Sequence, residues 1–306
     1  MRYFPLFLDL INKPVLVVGG GEVASRKVEA LLKAGADVTI VSPTLVDFLS
    51  KLASEHQLRW VQRFYSSDIV TKNFVQVWAT TDNPELNHQV YKDAKELGIL
   101  VNVVDDKPYC DFITPSMINR GRIQIAISSG GASPVLIRNI REKLESILPQ
   151  NMGLMADFAN SKRNSIKEAL PSVDLRRKFW EQFFSNPEVE NARDNRELEA
   201  IYQATMATPL DEKGSCTWVH VGKDVEMLPI KAVRYMQQAE LALYSTRCEA
   251  NVLELIRRDA EREAFSSAAE LSDMLAKAKA EKLRICVFIP QGTSEFVLLQ
   301  GQDLVI

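Results

Sequence analysis

The chain has 306 residues, of which 46% are hydrophobic and 25% are charged, and its formal net charge is -3 at pH 7. A chain of this length and composition can bury one good core and part of a second, which predicts two or three domains. Because positive and negative side chains are interspersed, the sequence lacks the concentrated basic face of DNA- and RNA-binding proteins, and we expect no nucleic-acid partner.

The apolar opening segment, "MRYFPLFLDL", runs directly into the first predicted strand. It is short and is interrupted by Pro5 and Asp9, so it does not have the pattern of a signal peptide. No run of about 20 apolar residues occurs in the chain, and we therefore predict no membrane-spanning helix.

A strand, a helix and a second strand are predicted in succession at 15–18, 23–34 and 38–41. Strand patterns recur at 58–63, 74–80 and 99–104, and a helical pattern separates the last two. This alternation is typical of an α/β fold with a doubly wound, Rossmann-type parallel sheet.

The pattern changes after Pro108. A predicted strand, "RIQIAIS", precedes a helix in which apolar residues recur at helical spacing, namely Leu136, Ile140, Leu144 and Leu148. Residues 151 to about 212 are helical and charge-rich. A second α/β pattern begins at "TWVHVGKDVEML" and continues to the end of the sequence.

A glycine loop joins the first predicted strand to the first helix. Gly19, Gly21 and Ala24 fit the pattern G-x-G-x-x-[GA], which lets a pyrophosphate approach the backbone at a helix N-terminus. The carboxylate that usually binds the ribose about 20 residues later is missing. Ser42 lies near its place and no arginine is present to bind a 2'-phosphate, so the residues alone leave NAD and NADP open.

Two later segments are candidate ligand sites. Asp105 and Asp106 follow an apolar strand, where ligands of open α/β sheets bind, although an acid there can also be a helix cap or part of a solvated turn. The segment "SSGGASP" opens a second helix and is either a second anion site or an ordinary helix entry.

A permanent metal site is not predicted. His56, His88 and His220 are not clustered, and we expect His88, inside a predicted helix, to be structural or exposed. The four cysteines lie far apart without a Cys-x-x-Cys pair, which favours reduced thiols in the cytoplasm.

Five motifs together resemble the siroheme synthase family over roughly residues 1 to 205. They are "PLFLDLINKPVLVVGGGEVASRKVEALLKAGADVTIVSP", "ATTDNPELN", "VNVVDD", "FITPSMI" and "ISSGGASPVLIRNIREKLE", in the order and spacing of that family. The resemblance is to its precorrin-2 dehydrogenase and sirohydrochlorin ferrochelatase module. It implies that a homodimer oxidises precorrin-2 to sirohydrochlorin with NAD and then inserts ferrous iron, a substrate, to give siroheme.

The resemblance also implies roles for individual residues. Asp105 is implied to be the acid or base of both reactions. Glu22, Val23, Pro43 and Thr44 are implied to contact NAD beside Gly19, Gly21, Ala24 and Ser42. The family uses NAD although it lacks the usual strand-end acid, which favours NAD for this chain.

The substrate implied by the resemblance is a polycarboxylate, so its site should offer N–H groups and polar side chains. The candidates are Asn102, Thr114, Ser116, Ser129 and Gly130. Ser129 also matches a serine that is phosphorylated in some family members. A phosphate there would repel the anionic substrate.

Residues 216–290 resemble the first half of a methyltransferase that follows this module in longer family members. The segments "MQQAELALY" and "VLELIRRDA" fit it, but "HVGKDVEML" and "FIPQGTSEF" replace its glycine-rich loops and its second lobe is absent. We therefore expect no methyltransferase activity.

We predict four segments: a Rossmann NAD-binding domain at 1–113, a dimerisation region at 114–150, a helical domain at 151–213 and a partial methyltransferase-like α/β domain at 214–306. Two alternative functions stay open. The chain could be a dehydrogenase that relies on a separate chelatase, or a regulatory module that binds NAD without chemistry.

Overall fold

The structure is a computed structural model that describes residues 2–209 and 214–306 of the chain. Its internal contacts divide the chain into two units, Met1–Ala159 and Asn160–Ile306. The boundary lies inside the segment predicted to be a helical domain, 151–213. The division into four segments stays a prediction.

A parallel sheet forms the centre of the first unit. Its strands are β1 (Pro14–Val18), β2 (Asp37–Val41), β3 (Arg59–Val61), β4 (Gln76–Ala79) and β5 (Leu100–Val103). Its helices are α1 (Glu22–Lys33), α2 (Asp47–Ser54) and α3 (Pro84–Glu96). The strand order is β3-β2-β1-β4-β5, with every neighbouring pair parallel, which confirms the predicted Rossmann-type fold.

Helices cover both faces of this sheet, which is why its central strand is apolar throughout. Val17 of β1 belongs to the same core cluster as Val28 of α1, and Leu16 belongs to the cluster that contains Val90 of α3. Successive side chains of a strand point to opposite faces. The strand order reverses direction between β1 and β4, and doubly wound sheets bind their ligands in the crevice at that point.

An antiparallel hairpin and two helices follow the sheet. β6 (Ser116–Arg120) pairs with β7 (Ile123–Ile127), and α4 (Pro134–Ile147) and α5 (Met152–Ser161) come next. The Ser133 side chain caps α4 by accepting a hydrogen bond from the Leu136 N–H at 3.2 Å. No residue of α4 is buried, and Leu136 of its apolar stripe is 53% exposed.

The second unit begins with a group of helices that share an aromatic core. They are α6 (Arg163–Ala169), α7 (Val173–Phe184), α8 (Pro187–Asn191) and α9 (Asn195–Ala207). Phe179 and Phe183 of α7 are fully buried, and the Phe179 ring makes an edge contact with Tyr202 of α9 at 5.2 Å between centroids. These aromatic side chains hold the short helices together.

A second parallel sheet follows in the same unit, as the second α/β pattern predicts. Its strands are β8 (Ser215–Val221), β9 (Leu241–Ser245), β10 (Glu261–Phe265), β11 (Arg284–Pro290) and β12 (Leu304–Val305), and its helices are α10 (Ile230–Gln238), α11 (Ala250–Leu253), α12 (Ala268–Ala280) and α13 (Val297–Gln300). The strand order is β10-β9-β11-β8-β12.

A buried carboxylate joins α7 to this second sheet. The Glu240 side chain is 6% exposed and accepts hydrogen bonds from the Arg177 guanidinium and, at 2.8 Å, from the Arg284 backbone N–H. Glu181 of α7 lies 2.7 Å from the Arg284 guanidinium and 3.2 Å from that of Arg257. Because a buried carboxylate without such partners is strongly destabilising, these contacts tie the helices to the sheet.

Candidate active site

The loop after β1 is packed so closely that it accepts only glycine at two positions. Gly19 has a φ of +116°, and a Cβ there would lie 2.6 Å from the Thr80 Oγ1 atom. A Cβ on Gly20 would lie 2.2 Å from the Thr44 carbonyl oxygen. The loop is therefore held against the ends of β2 and β4. The motif alone marked Gly19 but not Gly20.

Gly21 differs from its neighbours because the space beside it is open. A Cβ there would meet no heavy atom within 4 Å, and Gly21 is the N-cap of α1 without a side chain to cap the helix. The N–H groups of the first turn of a helix need partners, and a phosphate can supply them. The loop thus fits a dinucleotide cofactor whose pyrophosphate approaches at Gly21.

The remaining predicted cofactor residues flank this loop. Glu22, Val23 and Ala24 form the first turn of α1, where Ala24 is fully buried and the other two are exposed. Ser42, Pro43 and Thr44 follow β2; Ser42 is 7% exposed, and its carbonyl accepts a hydrogen bond from the Trp60 indole at 2.9 Å. The structure therefore brings the whole predicted set to the ends of β1 and β2.

Asp105 and Asp106 have different environments, which sequence alone did not show. Asp105 is exposed, has a φ of +60°, and accepts no hydrogen bond from the described residues 2–209 and 214–306. The Asp106 carboxylate is hydrogen-bonded to His88 Nε2 at 2.7 Å, and the His88 ring stacks on the Tyr109 ring. Asp106 thus already has a protein partner in His88, whereas the exposed Asp105 carboxylate is available to a ligand.

Lys27 of α1 is a half-buried cation near Asp105 that sequence reasoning missed. Its Nζ donates a hydrogen bond to Thr114 Oγ1 at 3.2 Å and lies 5.2 Å from the Trp78 ring centroid. Burial lowers the pKa of Lys27 below its usual value of 10.5, and attraction to Asp105 opposes this shift. No motif could have identified it, because Thr114 is 87 positions away.

Replacing Lys27 should change how stability depends on pH. Because its pKa is lowered in the folded state, the cost of burying the ammonium group is fully present at neutral pH and disappears as the pH rises towards 10.5. We therefore expect the free energy of unfolding of Lys27→Met, relative to wild type, to be higher at pH 7 than at pH 10. Urea unfolding of both proteins measures this, and a relative stability that increases with pH would contradict it.

Four of the five predicted substrate residues line one cavity of about 450 Å³. They are Thr114, Ser116, Ser129 and Gly130. Asn102 does not line it; this residue is 7% exposed, and its side-chain amide donates a hydrogen bond to the Phe112 carbonyl at 2.8 Å. The hairpin, the loop at 128–133 (the second glycine loop) and the start of α4 therefore border a common space.

Three basic residues also line this cavity, and sequence reasoning had not selected them. They are Lys107, Arg138 and Arg141. Arg138 and Arg141 are three positions apart on α4, so they lie on the same face of that helix. This spacing, immediately after a glycine loop, was a signal in the sequence.

Residues 2–209 and 214–306 contain no candidate metal-binding cluster and no helix suited to span a membrane. In this part of the chain, no group of three or more His, Cys, Asp and Glu side chains is arranged to hold a metal ion. None of its helices combines the length and apolar character that spanning a membrane requires.

Three family models match the chain. The model described as putative NAD(P)-binding matches residues 6–116, sirohaem biosynthesis protein central matches 120–147, and sirohaem synthase dimerisation region matches 151–205. The dimerisation model thus covers much of the segment predicted to be a helical domain. The central model lies within the segment predicted to be the dimerisation region, 114–150.

Curated relatives and a solved structure are also similar to the chain. Siroheme synthase from Actinobacillus pleuropneumoniae serotype 3 is 43% identical over 266 residues, covering 86% of this chain and 54% of the relative. Siroheme synthase 1 from Pectobacterium atrosepticum is 39% identical, covering 99% of this chain and 64% of the relative. The chain therefore spans between half and two thirds of their length.

The solved structure of "SirC, precorrin-2 dehydrogenase" has a TM-score of 0.53 to this chain and 25% sequence identity. The match covers 66% of this chain and 100% of the solved one.

Proposed function

Because this chain belongs to the siroheme synthase family, we propose that it oxidises precorrin-2 to sirohydrochlorin with NAD and then inserts ferrous iron to give siroheme. The exposed Asp105 carboxylate carries this proposal. It follows β5 at the sheet edge where the glycine loop also lies, because the carboxyl ends of parallel strands share one edge. A base and a cofactor loop are thereby available at a single crevice.

Bound NAD would accept a hydride from the reduced tetrapyrrole. The glycine loop and the first turn of α1 would hold its pyrophosphate through backbone N–H groups. Asp105 accepts the proton that the substrate loses along with the hydride. For iron insertion, the same carboxylate takes pyrrole N–H protons and passes them to water, so that two protons leave as one ferrous ion enters.

We also propose that the protein acts as a homodimer in the cytoplasm. The match of residues 151–205 to a dimerisation model supports the dimer. The exposed apolar stripe of α4, with Leu136 53% and Ile140 36% exposed, gives a second reason to expect a covering surface. The four free cysteines fit a reducing compartment.

We propose that residues 214–306 do not methylate uroporphyrinogen III. The loops after β8 and β11 read "GKDVEM" and "QGTSEF", and neither is the glycine-rich loop that binds S-adenosylmethionine in the resembling methyltransferases. Measurable methylation, or specific S-adenosylmethionine binding by calorimetry, would contradict this.

The decisive experiment is anaerobic turnover of precorrin-2 by the full chain, followed by the absorbance of sirohydrochlorin. We expect product with NAD, and faster turnover with NAD than with NADP. If the protein binds NAD but forms no sirohydrochlorin, the dehydrogenase proposal fails and a regulatory NAD-binding module explains the fold better.

The chelatase half of the proposal needs its own measurement. Ferrous iron is added to sirohydrochlorin with and without the protein, and siroheme formation is compared. We expect the protein to accelerate insertion. Equal rates would leave a dehydrogenase that relies on a separate chelatase.

A further inference from the structure

The charged side chains that line the cavity beside the second glycine loop are all basic. Lys107, Arg138 and Arg141 line it, and no Asp or Glu of the described residues 2–209 and 214–306 does so. The remaining lining includes hydroxyl groups and apolar side chains, among them Ile113 and Ile137. A ligand that fits these walls has an apolar body and several negative groups at its edge.

The backbone of the glycine loop is already engaged in local hydrogen bonds. The Gly130 N–H donates to Ser128 Oγ at 3.0 Å, and the Ser133 N–H donates to Ser129 Oγ at 3.1 Å. The Ser133 hydroxyl in turn caps α4 by accepting from the Leu136 N–H. The helix entrance therefore binds its own side chains, and negative charge in this cavity must be balanced chiefly by the basic side chains.

The three basic side chains differ in how far the protein already uses them. Arg141 lies 3.6 Å from the Glu145 carboxylate, and Lys107 Nζ donates to the Gly131 carbonyl at 3.2 Å. Arg138 is exposed and makes no ion pair or side-chain hydrogen bond within residues 2–209 and 214–306. Its guanidinium has five N–H donors, which suit a carboxylate bound through two of them.

We propose that Arg138, supported by Arg141 and Lys107, binds the peripheral carboxylates of the tetrapyrrole and selects the substrate by its charge. This inference rests on the proposed function, because it assumes that the ligand of the cavity is the tetrapyrrole. In this arrangement the apolar lining contacts the macrocycle, and the three cations engage its carboxylates. Arg138 is the main anchor because no partner within residues 2–209 and 214–306 competes for it.

The test is sirohydrochlorin binding to the full chain, measured by anaerobic calorimetry. Arg138→Gln removes the charge and keeps a polar side chain of moderate length. We expect it to weaken sirohydrochlorin binding about tenfold to a hundredfold, the range for a lost hydrogen bond to a charged group, and to leave NAD affinity unchanged. Lys143→Gln is the matched control, because Lys143 lies on the same helix, is exposed and does not line the cavity.

Two further measurements distinguish the loss of the Arg138 charge from a general disturbance of the fold. Arg138→Lys keeps the charge and should recover part of the affinity. The octamethyl ester of sirohydrochlorin has no carboxylates, so wild type and Arg138→Gln should bind it equally.

If Arg138→Gln binds sirohydrochlorin as wild type does while wild type oxidises precorrin-2, the role of Arg138 is disproved and the proposed function stands. If wild type neither binds sirohydrochlorin nor oxidises precorrin-2, both proposals fall together.

Discussion

Asp105→Asn is expected to slow the NAD-dependent oxidation of precorrin-2 by about 10²- to 10⁴-fold, the usual contribution of a general base. Asparagine is the appropriate replacement because Asp105 has a φ of +60°, a backbone conformation that Asn adopts more readily than most residues. The variant should therefore fold normally and bind NAD with unchanged affinity. Anaerobic initial rates at saturating NAD give the first quantity, and calorimetry gives the second.

Asp106→Asn is the matched control for this experiment. The Asp106 carboxylate is hydrogen-bonded to His88, and Asn can keep a hydrogen bond at that position. We expect an oxidation rate close to that of wild type. If Asp106→Asn loses as much activity as Asp105→Asn, the proton acceptor has been assigned to the wrong carboxylate. If one carboxylate serves both reactions, Asp105→Asn should also lose iron insertion.

Gly21→Ala is expected to bind NAD at least about tenfold more weakly, a loss of about 1.4 kcal/mol, and to unfold at nearly the wild-type temperature. The added methyl group meets no protein atom within 4 Å, so it occupies only the space into which the pyrophosphate would approach. Gly21 also has extended backbone angles, with φ of -89°, that alanine adopts without strain. Calorimetric titration with NAD and thermal unfolding measure the two effects.

Gly20→Ala is the contrasting variant. Its methyl group would lie 2.2 Å from the Thr44 carbonyl oxygen, so the loop must move and the fold should be markedly destabilised. Undiminished NAD binding by Gly21→Ala would show that the pyrophosphate lies elsewhere. A wild-type unfolding temperature for Gly20→Ala would show that the loop is not held against the end of β2.

The sequence predicted the parts of this protein that depend on local pattern. Strand patterns and helical periodicity located every strand of the first sheet, and the central strand β1 was the clearest because it is covered on both faces and is therefore apolar. The spacing of Gly19, Gly21 and Ala24 indicated the cofactor loop because these residues lie within one short segment of the chain. The sequence did not reveal that position 20 must be glycine, because the steric constraint comes from Thr44, a residue beyond the next strand.

The cavity shows the limit of sequence reasoning for the site. Its basic residues come from two segments, with Lys107 after β5 and Arg138 on α4, and only the fold brings them to one space. Lys27 reaches Thr114 in the same way. Asp105 and Asp106 could not be told apart by pattern, because the difference between them is a contact with His88 and a backbone angle.

Glu240 makes the helices of the second unit depend on the sheet that follows them. A deletion that removed the second sheet would remove Glu240 and Arg284 together, and Arg177 and Glu181 of α7 would lose the partners they have there. The helices that match the dimerisation model would then expose a surface shaped for a missing neighbour. We therefore expect helices α6 to α9 to need residues 214–306 for full stability, whether or not those residues take part in a reaction.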